Sequence, residues 1–172
     1  MSDAQRSLAR NIRQSRDLAG LAIGLRSVTT PAIDLSDVLR SAVVSSVSSL
    51  DHYVHEIVRE LLIAMGAGTL QRSRGFESFE VTVSSLASAI KGEPPAIWLA
   101  AEIRRQHGHL AFQMPDKIAD AIRLVHDEPL WPAVATLLQT DSASVKRDLK
   151  LVVERVRGHV IVLVGGQEKS SR

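Results

Sequence analysis

An all-α fold built around one long central helix is what this sequence predicts, and three observations carry the expectation. Apolar residues recur at helical spacing through most of the chain, with the longest such run extending from Leu35 to Met65. Proline and glycine fall mainly between the periodic segments, where they act as breaks. The short segment VTVSS, which also suits a strand, has helical neighbours.

The segments read as follows. Asp3 to Leu25 has good helix formers and a poor apolar stripe, which predicts a partly exposed N-terminal helix. In the long run, Leu35, Val38, Leu39, Ala42, Val43, Val47, Leu50, Val54, Ile57, Val58, Leu61 and Met65 share a face. Asp34 or Ser36 can cap it and Gly66 with Gly68 can stop it, giving a spine about 46 Å long. After the polar stretch GAGTLQRSRGFES, a short helix is expected over Phe79 to Ile90, although VTVSS within it also suits a strand.

Gly92 and Pro94-Pro95 break the chain, and Ala96 to Phe112 is expected to resume as a helix with Trp98 available for the core. Pro115 suits the first position of the next helix, whose buried face is Ile118, Ile122 and Val125. Pro129 and Pro132 open a short helix to Leu138, and Thr140 and Asp141 begin a last one with Val145, Leu149, Val152, Val153 and Val156 on one side. VIVLVGG, Val160 to Gly166, loses the helical pattern and reads as a strand, a buried helix end or an ill-fitting tail.

Composition narrows the function classes. With 45% hydrophobic and 23% charged residues and a mean hydropathy of +0.05, the 172-residue chain reads as one ordinary globular domain. It has no cysteine, which removes disulfides, thiolate nucleophiles and Cys-based zinc sites. The start MSDAQRSLARNIRQSRDLAG is polar, and no apolar run approaches the roughly 20 residues needed to span a bilayer, so no membrane association and a cytoplasmic location are expected. The net charge is only +2 and the basic residues are spread, which fits a solvated surface better than one clustered nucleic-acid patch.

Among the motifs, SSLDHYVHEIVRE is the most informative. Asp51, His55 and Arg59 recur every four residues and so form a row on one flank of the long helix. A carboxylate beside an imidazole can orient it, and an Arg next to both can bind phosphate, so the row has the groups of an RNA-facing surface. A helix-surface charge network or an interface contact uses the same spacing, and both readings stay open. His52 with His55, and His107 with His109, lack the spacing and the third ligand of a metal site, so no metal and no cofactor are expected. GAGTL and LVGGQ match neither a P-loop nor a dinucleotide fingerprint, and no G-x-S-x-G elbow exists.

Taken together, the segments DLSDVLRSAVVSSVSSLDHYVHEIVRE, FESFEVTVSSL, FQMPDKIADAIRLV, EPLWPAVATLL and VKRDLKLVVER resemble the RiboL-PSP-HEPN family of the HEPN superfamily, over roughly Asp34 to Arg155. LDHYVHE and PDKIADAI are its most specific parts. The resemblance implies a HEPN-like helical bundle at residues 31–159, preceded by the N-terminal helix at 1–30 and followed by a divergent tail at 160–172. It implies a metal-independent RNA endonuclease of the toxin or phage-defence class, with RNA, a second copy of the chain in a homodimer, and an antitoxin protein as partners. In such enzymes an Arg and a His separated by four to six intervening residues on a late helix act on the phosphate and the 2′-hydroxyl.

Here the expected motif is degenerate. Val156, Arg157 and Ile161 stand where this family has Arg, Asn and His, while Arg155 and His159 are separated by three residues and would share a helix face. Arg155 and His159 are therefore the expected catalytic pair, with Asp51 and His55 beside them and Arg59 and Arg157 as RNA-binding residues. Loss of the pattern after Arg155 points to a shifted reading frame or terminal rearrangement, or else to a native tail on a non-catalytic RNA-binding or protein-interaction module.

Overall fold

In the computed structural model, which describes residues 2–28, 30 and 34–151, every regular element is an α-helix. They are α1 (Asp3–Val28), α2 (Ser36–Gly66), α3 (Arg74–Glu77), α4 (Val83–Ile90), α5 (Pro95–His107), α6 (Pro115–Arg123), α7 (Leu130–Leu138) and α8 (142–151). The described helices form two compact units. One holds the described residues up to Leu50 and those from Arg147 onward, and the other is Asp51–Lys146. The division falls inside α2, between Leu50 and Asp51.

In the first unit α1 buries only the small residues Ala4, Ser15 and Ala22, while Leu21, Ile23 and Val28 stay exposed. Spacings of eleven and seven residues keep the three in one narrow seam, the geometry of a helix that packs closely along a line. The buried serines are satisfied inside their own helices: Ser15 Oγ donates to the Asn11 carbonyl and Ser49 Oγ to that of Ser45. At the start of α2 the Asp34 carboxylate accepts the Ser36 N–H at 2.9 Å, and that bond holds its pKa below the usual carboxylate value.

The second unit carries the larger core. Val54, Val58, Leu62 and Met65 form the buried stripe of α2, and Leu99, Ile103, Phe112, Ile118, Val125 and Trp131 bury against the same interior. Val58, Leu62 and Leu99 are wholly or almost wholly inaccessible, so truncating Leu62 or Leu99 to alanine costs about 2–5 kcal/mol. Trp98 is only half-buried; Trp131 takes the interior position instead.

Three helices end alike. Thr69 N–H reaches the Ala64 carbonyl and Gly68 N–H that of Met65, a Schellman closure with Gly68 at φ +74. Gly92, at φ +84, closes α4 the same way, and Gln139, at φ 52, closes α7 without a glycine. Helix α4 starts at Val83, later than the expected Phe79, because extended Thr82 caps it with its side chain and Phe79 to Val81 stay outside the helix. VTVSS is thus a cap and a first helical turn, not a strand.

Helix α5 stops at His107, five residues short of the expected Phe112. Gly108 N–H closes the last turn on the Arg104 carbonyl, and Leu110 N–H turns back to that of His107. The segment that follows bonds to α2 through the Leu110 carbonyl and the Phe112 N–H.

Candidate functional site

The row predicted on α2 is present, but its members engage different partners. The Asp51 carboxylate accepts the backbone N–H of Phe112. One turn later His55 Nε2 lies 3.2 Å from the Leu110 carbonyl, and its ring sits 4.4 Å from that of Phe112 at a tilt of 48°. With the carbonyl as acceptor, Nε2 carries the proton. Arg59 turns to Glu56, donating Nη2 to Oε2 at 2.6 Å, and this bond lowers the pKa of Glu56 below its ordinary value and raises that of Arg59 above its own. Asp51 and His55 thus serve the 110–112 backbone, while Arg59 is held by a carboxylate on its own helix.

Phe112 is buried and contacts two imidazoles. Besides His55, His107 meets it edge-on at 5.9 Å and meets Phe79 edge-on at 6.1 Å. His107 is 7% exposed, and its Nδ1 is buried with no hydrogen-bond partner. Such an atom costs about 1–3 kcal/mol relative to a satisfied one. Burial above all, and then the positive charge available on His55 and His109, pushes the His107 imidazole below its ordinary value and toward its neutral form.

One group that sequence reasoning missed is the buried carboxylate of Glu102. Its Oε1 accepts from Arg105 Nη2 at 2.5 Å, Arg105 Nε at 3.2 Å and Gln106 Nε2 at 2.8 Å, and its Oε2 from Ser85 Oγ at 2.6 Å and Thr82 Oγ1 at 2.9 Å. These donors, the Arg105 guanidinium first, outweigh desolvation and drive its pKa far below the usual range. The carboxylate joins α5 to the capping turn of α4 and has the character of a structural anchor. Its signal was present in the sequence: Leu99, Glu102 and Ile103 share one helix face, so an acid stands in an apolar stripe.

The ends of α3 and α6 meet just as closely. Ser73 Oγ donates to the Leu124 carbonyl at 2.6 Å and accepts from Phe76 N–H, and Asp127 accepts the Arg74 N–H at 2.9 Å. A Cβ on Gly75 would fall 2.1 Å from the Arg123 carbonyl, so only glycine permits this backbone approach.

The chain matches no family model, no curated protein and no solved structure.

Among the described residues no group of three or more His, Asp or Glu side chains is placed to hold a metal ion, and no helix is long and apolar enough to cross a membrane. Arg155, Arg157 and His159, the remaining residues expected at the site, and the tail at 160–172 lie outside the described residues.

Proposed function

We propose that this chain is a RiboL-PSP-HEPN-type domain, an RNA-directed helical scaffold of the toxin or phage-defence class. In this reading Arg155 and His159 form a degenerate catalytic pair, and the chain works as a homodimer held in check by an antitoxin protein. The Arg would stabilise the charge that develops on a scissile phosphate, and the imidazole would exchange a proton with the 2′-hydroxyl or the leaving oxygen, without a metal. RNA is the substrate class.

The observation that supports the reading is the bonding of one of the two most specific segments of the sequence resemblance to the residues that lead into the other. LDHYVHE and the residues just ahead of PDKIADAI are joined by Asp51 to Phe112 and by His55 to Leu110. This gives Asp51 and His55 a positioning role in the scaffold. The same engagement favours a second reading, a non-catalytic RNA-binding or protein-interaction module, because it leaves the chemistry to the residues from Arg155 onward.

Incubation of purified full-length chain with RNA in the presence of EDTA separates the readings. Cleavage that disappears in both Arg155→Ala and His159→Ala supports the catalytic one. RNA retention without cleavage supports the binding module, and neither cleavage nor retention contradicts both RNA-directed readings and leaves the protein-interaction module.

A further inference from the structure

Beside the His55–Phe112–His107 stack lies a pocket of about 370 Å³, bounded by the end of α5, the turn that follows it and α6. Phe112, Ala121 and Leu124 give it apolar walls, and His109, Lys117 and Asp120 line it with polar groups. His107, whose buried Nδ1 lacks a partner, is also part of the lining.

The charges at this pocket are unequal. Asp120 is neutralised by Arg123, whose Nη1 lies 2.6 Å from its carboxylate. Lys117 takes part in no ion pair among the described residues. One ammonium therefore faces the pocket without a matching charge, next to imidazoles that each carry at least one N–H donor.

We propose that this pocket binds a small organic monoanion, a compact apolar body of about one ring bearing a single carboxylate. The volume falls within the range of ligand sites, which are largely apolar with a few placed polar groups. Phe112, Ala121 and Leu124 take the apolar body, and Lys117 takes the carboxylate. A phosphate dianion fits less well, since its second charge would have no cation and would lie near Asp120. The site does not depend on the RNA reading.

Benzoate titrated into the isotope-labelled full-length chain, followed by NMR, is the direct test. Saturable shifts at 107–112 and 117–124 with a millimolar dissociation constant are expected. Lys117→Ala, an exposed position on α6, should weaken binding about tenfold with the fold intact by circular dichroism, and Lys117→Arg should restore it. Benzyl alcohol, the neutral counterpart, and phenyl phosphate should both bind more weakly. Absence of saturable shifts at these residues, affinity unchanged in Lys117→Ala, or equal affinity for benzyl alcohol would overturn the proposal.

Discussion

Asp51 on α2 accepts the backbone N–H of Phe112, sixty-one residues further along the chain, and so fixes the turn between α5 and α6 to the long helix. The bond makes a polar row on a helix surface into a tertiary anchor. Asp51→Ala removes a charged acceptor and leaves that N–H without its partner, which should destabilise the protein by about 1.5–3 kcal/mol. Urea unfolding measures it. A loss under about 0.5 kcal/mol, the range of ordinary surface changes, would assign the anchoring elsewhere.

Glu102 should set the acid limit of the second unit. Its folded pKa is depressed, so its contribution is complete above the unfolded value of 4.5 and is lost as pH falls toward the folded one. Glu102→Gln should flatten stability against pH below about pH 5. Glu102→Ala, which removes the acceptor shared by Ser85, Thr82 and Arg105, should cost about 3 kcal/mol at neutral pH. Matched unfolding curves from pH 3 to 7 decide both.

His107 acts in the same direction at a higher pH. Burial lowers its folded pKa, so below the ordinary 6.5 the unfolded chain takes up the proton first and stability falls as the solution is acidified. His107→Leu removes the unpartnered Nδ1 as well. Its unfolding free energy should therefore vary less than wild type between pH 7 and pH 5, while an unchanged slope would place the titration on another histidine.

How legible this was in the sequence depends on the range of the interaction. The helices followed from local rules: apolar spacing gave α2, Pro115 opened α6 at its first position, and Gly68 stopped α2. Boundaries failed where a side chain intervened, as at Thr82, or where a backbone turned back, as after His107. The site was legible as residue types only. Spacing put Asp51, His55 and Arg59 on one flank, but nothing local announced that a segment around Phe112 would occupy the first two and Glu56 the third.

Backbone geometry supplies a paired prediction. Gly75→Ala places a Cβ where the Arg123 carbonyl stands, and should cost about 3 kcal/mol or more by forcing the ends of α3 and α6 apart. Gln139→Gly relieves a left-handed residue at the end of α7 and should raise stability by about 0.5–1 kcal/mol. Thermal unfolding reads both signs in one experiment.

The functional reading rests on a division of labour in which Asp51 and His55 hold the scaffold and the residues from Arg155 onward meet RNA. The most direct measurement is cleavage of RNA in EDTA by the full-length chain, by Arg155→Ala and by His159→Ala, each checked for folding. The account predicts metal-independent cleavage that either substitution removes; undiminished cleavage in both variants, or a chain that neither cuts nor retains RNA, would contradict it.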